Sequence, residues 1–108
     1  MDLSKLREKD QTPVRKVADY LSTYDLEVEL KGGALRGDKQ YGDIDLLVTG
    51  PGVRIQGARN GLVVGSPLGD QFQVEYLGGP EGYVDKQIDD RFQIRAGETR
   101  IDLCLKRT

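Results

Sequence analysis

The first third of the chain carries the clearest hydrophobic pattern, in which a helical period gives way to strict alternation. Thr12-Pro13 is typical of a helix N-cap followed by the first helical residue. Apolar residues then recur at helical spacing up to about Tyr24: Val14, Val17, Ala18 and Leu21. Leu26, Val28 and Leu30 next alternate with charged residues, which predicts a half-buried strand.

The remainder of the chain predicts strands separated by turns. Residues 43–49 form a strand candidate that stops at Gly50-Pro51-Gly52, and residues 34–38 are expected to form a short helical turn. Further strand candidates are residues 53–56, 62–64, 71–77, 83–84, 91–95 and 99–105, while residues 85–90 fit either a helical turn or a loop. The pattern predicts an α+β fold, with one or two helices packed on one face of a mixed β-sheet.

Length and composition limit the function classes. At 108 residues, with 37% hydrophobic and 31% charged residues, we expect a single globular domain spanning residues 1–108. The absence of histidine excludes His-ligated zinc and Ser-His-Asp catalysis. A net charge of −2 does not suit a domain that grips nucleic acid alone. No apolar run approaches the roughly 20 residues that span a bilayer, and the single Cys104 favours a reducing cytoplasm.

Two acidic residues alternate with core positions in the strand candidate at residues 43–49. Ile44 and Leu46 would face the helices, so Asp43 and Asp45 would project together from the opposite face. Two adjacent carboxylates repel each other unless a cation lies between them, and Mg²⁺ is the usual one. By itself, such a pair is more often part of a solvated strand face or a turn than of a metal site.

A glycine pair precedes the two acids. Gly32-Gly33 follows the first predicted strand directly and opens a turn, where backbone N–H groups can approach an anion. Arg36 lies one turn further along, and its planar guanidinium suits phosphate oxygens. Glycine pairs also occur in turns that bind nothing. The spacing between this pair and Asp43 is therefore the feature that indicates a functional site.

The compound pattern resembles that of the DNA polymerase β-like nucleotidyltransferase superfamily. It consists of Gly32-Gly33-Ala34-Leu35-Arg36-Gly37, then Asp38-Lys39-Gln40-Tyr41, then Gly42-Asp43-Ile44-Asp45-Leu46-Leu47-Val48. The likeness covers residues 31–49 and is shared with family X polymerases, CCA-adding enzymes and minimal nucleotidyltransferases. The resemblance implies the polymerase β palm-like nucleotidyltransferase fold.

The resemblance also implies a third carboxylate on a later strand, which Asp102 between Ile101 and Leu103 supplies. Asp43, Asp45 and Asp102 are then the expected catalytic residues and the ligands of two Mg²⁺ ions, with Mn²⁺ as a substitute. The residues expected to bind the triphosphate are Gly32, Gly33, Arg36 and Lys39. Three further acids, assigned to a solvated loop, are Asp85, Asp89 and Asp90.

The activity implied is transfer of a nucleoside monophosphate from a nucleoside or deoxynucleoside triphosphate to an acceptor hydroxyl, with release of pyrophosphate. The acceptor stays open between a nucleic-acid end, a protein side chain and a small molecule. Two alternatives remain. One is a polymerase-like repair subunit that needs a protein partner. The other is a non-catalytic nucleotide-binding scaffold or an antitoxin-type interaction module.

Overall fold

The structure is a computed structural model, and it describes residues 1–36, 40–65, 67–79 and 90–108. Within these ranges a short 3₁₀ helix, Leu3–Lys5, precedes three α-helices: α1 (Glu8–Ser22), α2 (Gly32–Leu35) and α3 (Gly52–Val64). The strands are β1 (Glu27–Lys31), β2 (Ile44–Gly50), β3 (Phe72–Gly78), β4 (Asp90–Ala96) and β5 (Thr99–Arg107). None of these helices has the length and apolar character needed to cross a membrane.

The strands form one mixed sheet in the order β1-β2-β5-β4-β3. Strands β2 and β5 are parallel, and the other neighbours are antiparallel. The predicted α+β class and mixed sheet are therefore confirmed. The described part of the chain holds three helices rather than one or two, although α2 is only a single turn.

The hydrophobic core lies between the sheet and the two longer helices. Alternate residues of β2 and β5 are buried on one face, and the apolar side of α1 and α3 packs against them. Fully buried members include Val14, Val17, Leu21, Ile44, Leu46, Val48, Ile55, Ala58, Ile101, Leu103 and Leu105. The opposite face of β2 and β5 is half-exposed over most of its length, so polar side chains there remain available for chemistry.

The strands predicted at residues 53–56 and 62–64 are wrong, because both segments belong to helix α3. Three glycines and three valines make this segment a poor helix former by propensity. Tertiary packing overrides that preference. A Cβ atom on Gly61 would lie 2.2 Å from the Tyr20 hydroxyl oxygen, and one on Gly57 would lie 3.1 Å from the ring of Tyr24. The glycines therefore let α3 approach the tyrosines of α1, and Tyr20 donates a hydrogen bond to the Ala58 carbonyl (2.9 Å).

Helix α1 begins at Glu8, well before the predicted start at Thr12-Pro13, so Pro13 lies inside the helix. An internal proline removes one backbone hydrogen bond and weakens the helix. The first turn is held instead by tertiary contacts of Asp10, described below. The other predicted strands agree with β1 to β5 to within about two residues, and the candidate at residues 83–84 lies outside the described residues.

Asp10 joins the start of α1 to the sheet and to the segment before β2. Its carboxylate is buried and accepts hydrogen bonds from Thr99 Oγ1 (2.6 Å), Arg7 Nε (3.1 Å) and the hydroxyl of Tyr41. Burial raises the pKa of Asp10, but the hydrogen bonds from Thr99, Tyr41 and Arg7 outweigh it and lower the pKa below its ordinary value. The ionised form therefore stabilises the fold.

We predict that Asp10→Ala lowers the free energy of unfolding by about 3 kcal/mol at neutral pH, because the buried hydroxyls of Thr99 and Tyr41 and the half-buried guanidinium of Arg7 lose their acceptor. Because the native pKa of Asp10 is lowered, its contribution is present above the unfolded pKa and is lost as pH falls through the native pKa. Urea denaturation at pH 7 and at pH 3 checks both the loss and its decrease in acid.

The matched control for this substitution is Asp19→Ala, which removes an exposed carboxylate from the same helix. It should change the free energy of unfolding by about 0.5 kcal/mol or less. Equal effects of the two substitutions would contradict a stabilising role for the buried carboxylate.

Candidate functional site

Three carboxylates lie together on the half-exposed face of the sheet. Asp45 in β2 and Asp102 in β5 are register partners on neighbouring parallel strands, which lie about 4.8 Å apart. Asp43 directly precedes β2, and its carboxylate lies near enough to Asp45 and Asp102 to raise the pKa of both. We call Asp43, Asp45 and Asp102 the acid trio. The sequence prediction that these acids share one face of the sheet is confirmed.

Two arginines contact the acid trio. Arg100 Nε lies 3.2 Å from Asp43 Oδ1, and Arg91 Nη2 lies 3.5 Å from Asp102 Oδ2. Arg100 is in β5, two residues before Asp102, and Arg91 is in the adjacent strand β4. Neither arginine was among the site residues predicted from the sequence. Arg100 could have been found from its i−2 spacing to Asp102, whereas Arg91 required knowledge that β4 pairs with β5.

The carboxylates of the acid trio interact electrostatically. Burial raises the pKa of Asp102, the charge of Arg91 opposes this shift, and the carboxylates of Asp43 and Asp45 add to it. Burial likewise raises the pKa of Asp45, with a further increase from Asp43 and an opposing effect of Arg91. Each of these two acids is therefore easier to protonate in the folded protein than in an unfolded chain, so the site favours additional positive charge.

One oxygen of the acid trio is both buried and unsatisfied. Asp102 Oδ1 is shielded from solvent and has no hydrogen-bond partner among the described residues. A buried carboxylate oxygen without a donor is costly, and a hard cation that prefers oxygen ligands would satisfy it. As they stand, no three Asp, Glu, Cys or His side chains of the described residues are arranged to hold a metal ion. The donor chemistry thus fits Mg²⁺, while the carboxylates are turned in part toward arginines.

The glycine turn predicted to bind phosphate lies directly beside the acid trio. Gly32 has φ of +72°, a conformation that favours glycine, and a Cβ atom there would lie 2.6 Å from Asp45 Oδ2. Arg36 follows α2, and its Nη2 would lie 3.7 Å from a Cβ atom on Gly33. Gly32 therefore borders one end of the site, and Gly33 and Arg36 follow it within and just after α2. Lys39, also predicted to bind the triphosphate, lies outside the described residues.

Asp90 was wrongly assigned to a solvated loop. It is the first residue of β4 and is buried, and its Oδ1 accepts hydrogen bonds from Tyr76 Oη (2.7 Å) and Arg59 Nε (3.3 Å). This cluster joins α3 to the strand pair β3 and β4 on the helix-covered face, away from the acid trio. The other two acids of that prediction, Asp85 and Asp89, lie outside the described residues.

The acid trio lies apart from the cavity beside α1. This cavity, of about 770 Å³, lies between the N-terminal residues and α1, where Asp2, Arg15 and Asp19 line it. None of the acid trio is among the described residues that border it.

In a comparison with known proteins, neither a protein-family model nor a curated protein sequence matches the chain. A proposal about function therefore depends on the chemistry of the acid trio and of the residues around it.

We predict that Gly32→Ala destabilises the fold by about 1–2 kcal/mol, because an L-residue is strained at positive φ. The new methyl group would also displace Asp45 and weaken Mn²⁺ binding by about tenfold. Calorimetric titration and thermal unfolding measure the two effects. Gly42→Ala is the control, since a Cβ atom there meets nothing within 4 Å. Unchanged Mn²⁺ affinity in Gly32→Ala would separate this turn from the acids.

We also predict that Asp102→Asn stabilises the metal-free protein at neutral pH by on the order of 1 kcal/mol, because it relieves carboxylate repulsion and burial of charge. Because the native pKa of Asp102 is raised, the folded protein keeps this proton to higher pH than the unfolded chain does. The cost of burying the charged carboxylate is therefore absent below the unfolded pKa and grows as the pH rises to the native pKa. Thermal unfolding in EDTA at pH 3.5 and at pH 7.5 should show the gain only at the higher pH. A loss of stability at pH 7.5 would show that the ion pair with Arg91 dominates.

Proposed function

We propose that this chain is a metal-dependent nucleotidyltransferase, which transfers a nucleoside monophosphate from a nucleoside triphosphate to an acceptor hydroxyl and releases pyrophosphate. The observation that carries the proposal is the pairing of Asp45 with Asp102 on parallel strands, with Asp43 on the same face and Gly32 against Asp45. A chance cluster of surface acids gives no reason for a positive-φ glycine to contact one of them.

We infer that the fold is of the polymerase β palm-like nucleotidyltransferase type. The order of elements supports this inference: a helix, a strand, a glycine turn with a short helix, and a strand with two acids. The third acid lies on a neighbouring strand that runs parallel to that strand. This arrangement agrees with the pattern that the sequence resemblance implies for residues 31–49 and for Asp102.

Asp43, Asp45 and Asp102 would hold the Mg²⁺ ions. Bound there, Mg²⁺ supplies charge that compensates the phosphate oxygens and favours ionisation of the acceptor hydroxyl. Oxygen ligands and the unsatisfied Asp102 Oδ1 fit such an ion.

The remaining groups of the site would bind and orient the triphosphate. The backbone at Gly32 and Gly33 can approach phosphate oxygens closely because no side chain intervenes. The Arg36 guanidinium, which lies over Gly33, can pair with two phosphate oxygens at once. Transfer of this kind depends mainly on positioning and charge compensation, so a small site suffices.

The test of the proposal is transfer by the purified protein with Mg²⁺, each nucleoside triphosphate and a panel of acceptors: oligonucleotides, proteins and small hydroxyl compounds. Mass spectrometry detects the nucleotide adduct, and a coupled assay detects pyrophosphate. We predict that Asp43→Asn and Asp102→Asn each lower the rate by about 100-fold or more while the protein stays folded. Asp19→Asn, an exposed acid on α1, should retain the wild-type rate.

Full transfer activity in Asp43→Asn or Asp102→Asn would refute the catalytic assignment. Saturable triphosphate binding that does not depend on a divalent cation would instead support a non-catalytic nucleotide-binding scaffold.

A further inference from the structure

We propose that Arg100 and Arg91 are exchangeable counter-ions of the acid trio, which a divalent cation displaces when it binds. This inference rests on the proposed function, because it concerns the same three carboxylates. It assigns to the two arginines a role in setting the affinity of the site for metal, in addition to the ligands themselves.

The contacts place one guanidinium on each side of the site. Arg100 Nε contacts Asp43 Oδ1 at 3.2 Å from within β5, and Arg91 Nη2 contacts Asp102 Oδ2 at 3.5 Å from β4. Asp43 and Asp102 are also expected ligands of the cation. One oxygen of each of these two carboxylates thus faces a guanidinium, and no three Asp, Glu, Cys or His side chains of the described residues are arranged to hold a metal ion.

The face that carries the acid trio also carries several arginines. Arg95 in β4 is the register partner of Arg100, and Arg91 lies on the same face of β4. Arg95 contacts Gln93 Oε1 (2.9 Å from Nη2), whereas Arg91 and Arg100 contact the acids. A bound divalent cation would place positive charge beside two guanidiniums, and the repulsion favours their release.

The Arg100–Asp43 pair is of the kind that exchanges readily. The side chain of Arg100 is 55% exposed and that of Asp43 is 30% exposed, so water screens this pair and competes for the guanidinium. The Arg91–Asp102 pair is more buried, since these side chains are 33% and 12% exposed. Asp102 Oδ1, by contrast, is buried and lacks a donor even with Arg91 in place. A divalent cation can satisfy this oxygen as well as those that the arginines contact, which makes exchange favourable.

The experiment measures Mn²⁺ affinity by isothermal titration calorimetry for the wild type, Arg100→Gln, Arg91→Gln and Arg95→Gln. We expect Arg100→Gln to lower the Mn²⁺ dissociation constant by about tenfold, because it removes both a competitor and a nearby positive charge. Arg91→Gln should change it in the same direction. Arg95→Gln is the matched control, because it removes one positive charge from the same face although Arg95 does not contact the acid trio. It should change the Mn²⁺ dissociation constant by about twofold or less.

Thermal unfolding supplies a second readout. Arg100→Gln should have a lower melting temperature than the wild type in EDTA, where Asp43 has lost its counter-ion, and this difference should vanish in saturating Mn²⁺. Arg95→Gln should show no such dependence on Mn²⁺. A purely structural arginine would lower the melting temperature in both conditions and would not raise metal affinity when removed.

The outcomes separate this proposal from the proposed function. If the wild type binds Mn²⁺ saturably and Arg100→Gln binds it no more tightly than Arg95→Gln, the counter-ion role is overturned and the metal site stands. If the wild type shows no saturable Mn²⁺ binding at millimolar concentrations, the metal site itself is refuted and the counter-ion role falls with it.

Discussion

The parallel pairing of β2 with β5 is the constraint on which the site depends. This register sets Asp45 beside Asp102 and Ile44 beside Ile101, so one pairing fixes both the core on one face and the acids on the other. A shift by one residue would bury the acids and expose the core. The burial of Ile44, Leu46, Ile101 and Leu103 by α1 and α3 therefore holds the carboxylates together against their mutual repulsion.

Two buried aspartates of this protein have contrasting environments. Asp10, 1% exposed, receives hydrogen bonds from three side chains, and its pKa is lowered. Asp102, 9% exposed, keeps one oxygen without a donor among the described residues, and burial raises its pKa. A perturbed acid of the second kind is more common at functional sites, which supports the role proposed for Asp102.

Local patterns predicted the sheet residues well and failed where distant contacts decide. Alternation around Asp43 and Asp102 predicted their common face, since a strand period of two needs no tertiary information. The helical state of α3 depends on Gly57 and Gly61 fitting against two tyrosines of α1, and no local pattern shows that fit. The contacts of Asp10, Asp90 and Arg91 likewise join residues far apart in sequence. The sequence therefore indicated the three acids that lie together but not the two arginines that contact them.

The central claim, that Asp43, Asp45 and Asp102 share a divalent cation, is tested most directly by paramagnetic broadening in the ¹H–¹⁵N spectrum of the protein. Substoichiometric Mn²⁺ should broaden first the amide signals of Gly32 and of residues 44–46 and 101–103, and excess Mg²⁺ should restore them. Broadening that starts at other acids, such as Asp19 or Glu98, or that Mg²⁺ does not reverse, would contradict a shared cation at the junction of β2 and β5.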